Sequence, residues 1–114
     1  DNALARLSPI AEELGLYTDA ERAVVARRLA DVEAARALAE RVPVRPDAAR
    51  PVIEAAGAQA GAVPTDPVRA AELARRPGVT LAALFAATSV GAELHPEAVV
   101  SADLELKYAD YLVK

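Results

Sequence analysis

Cysteine, methionine and tryptophan are all absent from this chain of 114 residues. Without cysteine, the chain has no disulfide, no thiolate metal site and no cysteine nucleophile. It has one histidine, His95, and a single imidazole is too few for a usual zinc site. We therefore expect no catalytic and no metal-binding residues, and we interpret His95 as an ordinary helix-boundary residue.

Long apolar runs are also lacking. No run approaches the roughly 18 residues that a membrane-spanning helix needs, and the first residues do not resemble a signal sequence. A cytoplasmic location without a membrane partner is the expectation. Because the chain begins at Asp1 and contains no methionine, we expect it to be a piece of a larger protein.

Basic residues are fewer than acidic residues in the chain as a whole, but not in every part of it. The net charge of −4 argues against a DNA-binding domain whose affinity depends on counterion release. Residues 22–76 nevertheless hold ten arginines against seven acidic residues, whereas both ends of the chain are acidic. This mildly basic middle indicates a solvated surface of salt bridges, with contact to a polyanion as the alternative.

The residues that are abundant, alanine and leucine with interspersed arginine and glutamate, favour helix over strand. The predicted fold class is all-α, a small helical bundle. The Gly/Pro-containing segment 57–65 is predicted to be a flexible linker between two helical sub-bundles, at 1–56 and 66–114. Together they would form one domain.

Capping residues predict where the helices start, at Ser8, Thr18, Asp66 and Thr80. Ser8 would open a short helix over 9–14. The capping-box spacing of Thr18 and Glu21 opens the longest predicted helix, whose apolar stripe continues to Pro43.

The segment after Pro43 is rich in proline. Pro46 and Pro51 are expected to break the chain, although a short helix can run from Asp47 to about Ala56. Asp66 followed by Pro67 predicts a further helix that ends at Arg76.

The last predicted helix begins at His95 and carries two stripes. Apolar residues at 99, 102, 106, 109 and 113 form a seam, which Val100, Leu104, Tyr108 and Tyr111 widen on one side. The opposite stripe is charged and consists of Asp103, Lys107, Asp110 and Lys114. On the residues alone, the tyrosines are core-edge residues and Lys107 is a salt-bridged surface residue; a contact surface is the alternative.

Three separated motifs resemble the C-terminal helical domain of the tRNA uridine 5-carboxymethylaminomethyl modification enzymes, the MnmG or GidA family. They are "DNALARLSPIAEELGL", "ELARRPGVTLAALF" and "LELKYADYL", and they span nearly the whole chain in the family's order. Two positions depart from the family pattern, because Asp110 and Ala11 stand where the family has glycine. Asp110 puts in doubt close backbone packing at that position.

The resemblance implies a larger flavoprotein that modifies the wobble uridine of tRNA with FAD, reduced nicotinamide (NADH) and a folate one-carbon donor. It implies an MnmE-type GTPase and tRNA as partners, together with the parent flavoprotein domain and a homodimer of the full-length enzyme. The cofactor sites and the catalytic cysteines would belong to the N-terminal portion. No cofactor is expected in this chain, which has no Gly-x-Gly-x-x-Gly stretch.

With the resemblance included, contact with the partner or tRNA is predicted for Lys107, Tyr108, Tyr111, Arg75, Arg76 and Arg6. Local roles remain open for the arginines. Arg75 and Arg76 fall at a predicted helix C-terminus, where cations are favoured anyway, and Arg6 would equally tie the first helix to the parent enzyme. The rival interpretations are a purely structural module, packed on the parent enzyme or its dimer mate, and an unrelated helical interaction domain. A helix-turn-helix DNA reader is disfavoured because the last helix is acidic.

Overall fold

The structure is a computed structural model that describes residues 18–113, with side chains described through residue 109. The short helix predicted at 9–14 lies outside these residues. The described elements follow in the order α1 (Asp19–Arg41), β1 (Pro43–Val44), α2 (Pro46–Ala56), β2 (Val68–Arg69), α3 (Ala70–Ala74), α4 (Leu81–Thr88) and α5 (Pro96–Val113). The predicted helical class is confirmed, and a ribbon of two short strands is added to it.

Helix α1 begins at the predicted capping box. The hydroxyl of Thr18 accepts the Glu21 N–H at 3.1 Å, and the Glu21 carboxylate accepts the Thr18 N–H at 2.9 Å. The bond from the Thr18 N–H favours the ionised carboxylate and holds the pKa of Glu21 below its usual range. Val32, Ala35 and Ala39, which belong to the predicted apolar stripe, are buried.

Helices α1 and α5 lie side by side and run in the same direction. Arg28 pairs with Glu97 and Arg36 pairs with Glu105, each at 3.0 Å and each across 69 residues of sequence. Because the separation is the same for both pairs, the two helices keep one register over eight residues, about 12 Å of helix. Two parallel neighbours need a long connection, and β1 through α4 supply it.

The core lies between this helix pair and the connecting elements. Its largest fully buried side chains are Leu73, Leu81, Leu84, Val44 and Val79. Helices from both predicted sub-bundles contribute to this one cluster. The division of the chain at 57–65 stays a prediction.

The helix start predicted at Asp66 is wrong. Val68–Arg69 pairs antiparallel with Pro43–Val44, and helix α3 begins only at Ala70, whose N–H donates to the Val42 oxygen at 2.9 Å. The ribbon thus satisfies backbone groups that a helix would have satisfied internally. Pairing partners 24 and 26 residues away leave no local signal in the sequence.

The break predicted at Pro51 is also wrong, because Pro51 lies inside α2. Proline removes one backbone donor from a helix interior, at a cost of about 3 kcal/mol. Ala49 and Ile53 are buried on the same helix. Burial of that face offsets the lost bond, since tertiary packing supplies most of a short helix's stability.

Gly91 is a position where the fold requires glycine. Its φ is +76°, and an added Cβ would lie 2.8 Å from Cδ2 of Phe85, whose ring is 3% exposed. Gly57 has a similar φ of +95° but open space around the same position. Alanine substitutions at the two glycines therefore distinguish the cost of backbone strain alone from the cost of strain combined with a steric clash.

We expect Gly91→Ala to lower the free energy of unfolding by about 2–4 kcal/mol, because strain and overpacking add. Gly57→Ala should cost about 1–2 kcal/mol from strain alone. Urea denaturation of both variants measures the difference. Equal losses would show that the Phe85 ring does not limit the space at Gly91.

Candidate contact surface

Helix α5 exposes three large apolar side chains in one line. Val100 is 51% exposed, Leu104 48% and Tyr108 59%. They are four residues apart, so they form a stripe about 12 Å long on one face. We call these three residues the α5 stripe. They had been predicted to widen the core seam, and the structure instead turns them to the surface.

The charged stripe predicted opposite them is confirmed in its Asp103–Lys107 ion pair, but the carboxylate of that pair does not lie at the surface. Asp103 is only 8% exposed. Lys107 Nζ donates to the Asp103 carboxylate and to the Val79 backbone oxygen, the latter at 2.8 Å. This lysine joins α5 to the loop before α4, and its amino group is already occupied within the fold.

A groove of about 520 Å³ adjoins the α5 stripe. It is lined by Ala82, Phe85, Ala86, Ser89, Val90, Gly91, Ala92, Leu94, Pro96, Val99 and Val100. Val100 belongs to both the groove and the stripe, so the two form one continuous apolar surface. The lining residues carry no charged side chain.

The two arginines predicted as phosphate contacts have different environments. Arg76 Nη1 donates to the backbone oxygens of Ala60 at 3.2 Å and Ala62 at 2.6 Å, so it fastens the 57–65 segment to the end of α3. Arg75 is exposed, and its side chain has no acidic partner among residues 18–109. Of the two arginines, only Arg75 has a guanidinium without a hydrogen bond or an ion pair within the described residues.

His95 lies at the start of α5. Its Nδ1 accepts the Glu97 N–H at 3.1 Å, and its own backbone N–H donates to the Asp31 carboxylate at 3.0 Å. The ring caps α5, and the backbone joins α5 to α1. This is the role of a helix-boundary residue.

Two predicted contact residues cannot be placed by their side chains. Arg6 lies outside the described residues. Tyr111 lies in α5, three positions after Tyr108, and only its backbone is described. Both stay predictions.

The described residues contain neither a metal site nor a membrane-spanning helix. Within residues 18–109, no three histidine, cysteine or acidic side chains lie together as a metal site would need. None of the helices described is long and apolar enough to cross a membrane.

Comparison with known proteins identifies the family. A model of the tRNA modifying enzyme MnmG/GidA C-terminal helical domain matches residues 19–114. The chain belongs to this family. The tRNA uridine 5-carboxymethylaminomethyl modification enzyme MnmG of Roseiflexus sp. (strain RS-1) is 37% identical over 115 residues, covering 100% of this chain and 16% of the relative. No solved structure matches the chain.

These findings confirm the resemblance seen in the three motifs. The first motif precedes the range of the family model but lies within the alignment to the Roseiflexus enzyme, which covers the whole chain. The chain spans about a sixth of that enzyme's length. It corresponds to a C-terminal helical domain rather than to the enzyme as a whole.

The ion pair between the buried Asp103 and the part-exposed Lys107 gives a testable account of how α5 is held against the loop before α4. Lys107→Met keeps the aliphatic stem but leaves the Asp103 carboxylate buried without its cation and the Val79 oxygen without its donor. We expect the free energy of unfolding to fall by about 3 kcal/mol, as for a buried pair that loses one partner. Chemical denaturation measures the loss.

The matched control removes both partners. Asp103→Leu combined with Lys107→Met leaves no buried charge and should recover most of the lost stability. If the double variant is as unstable as Lys107→Met, the cost arises from altered packing and not from the unpaired carboxylate.

Proposed function

We propose that this chain is the partner-docking and tRNA-positioning domain of a FAD-dependent enzyme that modifies the wobble uridine of tRNA, and that it catalyses nothing by itself. The observation that supports docking is the continuous apolar surface formed by the α5 stripe and the adjoining groove. Exposed apolar surface of this kind, concentrated in one patch, is typical of interaction sites.

The chemistry of the α5 stripe suits contact with a protein. Tyr108 supplies a rigid ring and one hydroxyl, and tyrosine is among the residues that most often anchor protein interfaces. Val100 and Leu104 extend the apolar area toward the groove, which would accept side chains of the partner. The MnmE-type GTPase is the partner that we propose for this surface.

A role toward tRNA is supported by the family and by the free arginine. The name of the Roseiflexus relative describes modification of tRNA uridine. Arg75 is exposed and without an acidic partner in the described residues, so its guanidinium is available for a phosphate. Lys107 and Arg76 are engaged within the fold and would contribute to contact only after giving up those bonds.

The proposal includes that this chain by itself has no catalytic activity and binds no cofactor. The sequence has no cysteine and no dinucleotide fingerprint. FAD and NADH would bind the remainder of the full-length enzyme. Stoichiometric flavin retained by the purified 114-residue chain would refute this part of the proposal.

A structural module is the alternative, in which the same apolar surface packs against the parent enzyme or its dimer mate. Titration of the 114-residue chain separately with the GTPase and with tRNA, at two salt concentrations, distinguishes the two functions. Binding to either partner supports docking. Binding to neither, with capture by the separately expressed N-terminal portion, would favour the structural module.

Truncation of the α5 stripe tests the docking surface itself. Because Leu104 and Tyr108 are half-exposed or more, Leu104→Ala and Tyr108→Ala should each weaken GTPase binding by about 1–2 kcal/mol, roughly tenfold, with thermal stability nearly unchanged. Tyr111→Ala extends the test by one turn. Calorimetric titration gives the affinities.

Val24→Ala is the matched control. Val24 is 63% exposed, but it lies on α1, away from the α5 stripe. Its truncation should leave GTPase affinity unchanged. Unchanged affinity in folded Leu104→Ala, Tyr108→Ala and Tyr111→Ala variants would defeat the docking proposal.

A further inference from the structure

The two-stranded ribbon places three arginines on one outward face. Exposure alternates along the first strand and its flanks: Val42 is half-buried and Val44 is buried, whereas Arg41, Pro43 and Arg45 are exposed. The pairing sets Arg69 directly opposite Pro43, and directly paired residues share a face of an antiparallel ribbon. Arg69 is therefore opposite the midpoint between Arg41, the last residue of α1, and Arg45, which precedes α2.

The backbone beneath these arginines is firmly held. Val44 is fully buried, and the Val42 oxygen accepts the Ala70 N–H at 2.9 Å. Pro43 and Pro46 restrict the backbone further, because the proline ring fixes φ. The positions of the three arginines are therefore set before any ligand binds, which reduces the ordering cost of binding.

The acidic residues nearby are engaged with only one of the three arginines. Arg69 pairs with Glu40 at 3.5 Å and with Glu72 at 3.2 Å. Arg41 and Arg45 have no acidic partner among the side chains that the structure describes. Asp47 is near Arg45 in sequence, but it lies in the first turn of α2, where free N–H groups and the helix dipole favour a negative charge.

We propose that Arg41 and Arg45, with Arg69 between them, form a contact site for the phosphodiester backbone of a nucleic acid. The inference rests on the proposed function and assigns its tRNA contact to residues that no sequence motif indicated. We call these three residues the ribbon arginines.

The spacing and chemistry fit a phosphate chain better than a protein surface. The chain is extended from Val42 through Arg45, so Arg41 and Arg45 are about 13 Å apart at 3.3 Å per residue. Neighbouring phosphates of one nucleic-acid strand lie closer together than this span, so the two arginines can reach different phosphates of the same strand. The face lacks the large apolar anchor that a protein interface would need, whereas guanidinium groups bind phosphate oxygens in pairs.

Salt dependence of binding is the test, with a tRNA transcript as the probe and the 114-residue chain as the protein. Fluorescence anisotropy between about 50 and 200 mM salt gives the slope of log affinity against log salt concentration. In Arg41→Gln/Arg45→Gln the slope should become shallower by about one unit for each arginine, and affinity at low salt should fall. GTPase affinity and thermal stability should stay unchanged.

The matched control is Arg27→Gln/Arg50→Gln. Both arginines are exposed and without an acidic partner in the described residues, and they lie on α1 and α2 outside the ribbon. The control removes the same charge, so its slope should remain that of the unsubstituted chain. If the control reduces the slope as much as the ribbon variant does, the effect is one of net charge and the site is overturned.

A second test uses a substitution that should raise tRNA affinity and not lower it. Glu40→Gln removes one of the two acids that pair with Arg69, so it should tighten tRNA binding and steepen the salt slope. Unchanged tRNA affinity in both the Glu40→Gln and the Arg41→Gln/Arg45→Gln variants would overturn the inference.

The outcomes separate this inference from the proposed function. If the unsubstituted chain binds tRNA with a salt-dependent affinity that the ribbon variant leaves intact, the inference fails while tRNA positioning stands. If the ribbon variant loses GTPase affinity and keeps tRNA affinity, the ribbon contacts protein and the inference also fails. A chain that binds neither tRNA nor the GTPase overturns both.

Discussion

The parallel packing of α1 against α5 is the constraint on which the rest of the fold depends. Small buried residues allow a close approach: Ala35 and Ala39 on α1, and Ala98 and Ala102 on α5. The ion pairs Arg28–Glu97 and Arg36–Glu105 flank this packing and fix its register. Surface pairs of this kind add little stability, so we assign them the choice of register and assign the stability to the buried alanine, valine and leucine side chains.

The parallel arrangement of α1 and α5 also determines the path of the chain that connects them. The chain leaves α1 at one end of the pair and must return to the other end before α5 begins. The ribbon of β1 and β2 turns the chain at the far end of α1, and α2, α3 and α4 carry it back. The ribbon arginines are exposed because the ribbon lies at this turning point, where no element within residues 18–109 covers its outer face.

The rotation of α5 about its own axis is set by the residues that it buries. Ala98, Val99, Ala102 and Leu106 are buried and belong to the core, and their burial supplies most of the stability of this packing. Lys107 agrees with the same rotation, since it reaches both Asp103 and the Val79 oxygen on the loop before α4. With that side of α5 packed, Val100, Leu104 and Tyr108 are turned outward.

Local signals predicted the helices well and the long-range contacts poorly. The capping residues Thr18 and Thr80 and the boundary residue His95 mark helix starts through bonds made within four residues, and all three starts are confirmed. The ribbon pairs residues 24 and 26 apart, and Lys107 bonds to a carbonyl 28 residues away, so neither leaves a periodic pattern that sequence analysis detects. For the same reason the motif "LELKYADYL" predicted contact for Lys107 and Tyr108 alike. Lys107 is bonded within the fold, whereas the Tyr108 side chain is exposed.

The two proposed contact surfaces differ in chemistry, so the affinities for the two proposed partners would respond to different conditions. Contact through the α5 stripe depends on apolar area and hence changes little with ionic strength. Contact through the ribbon arginines depends on counterion release and weakens steeply as salt rises. The stripe lies on a helix whose orientation is set by its own buried apolar residues, and the arginines lie at a ribbon anchored by Val44, so a substitution in one support leaves the other in place. Affinity for the protein partner and affinity for the nucleic acid can therefore vary independently, although both surfaces are built on the same pair of parallel helices.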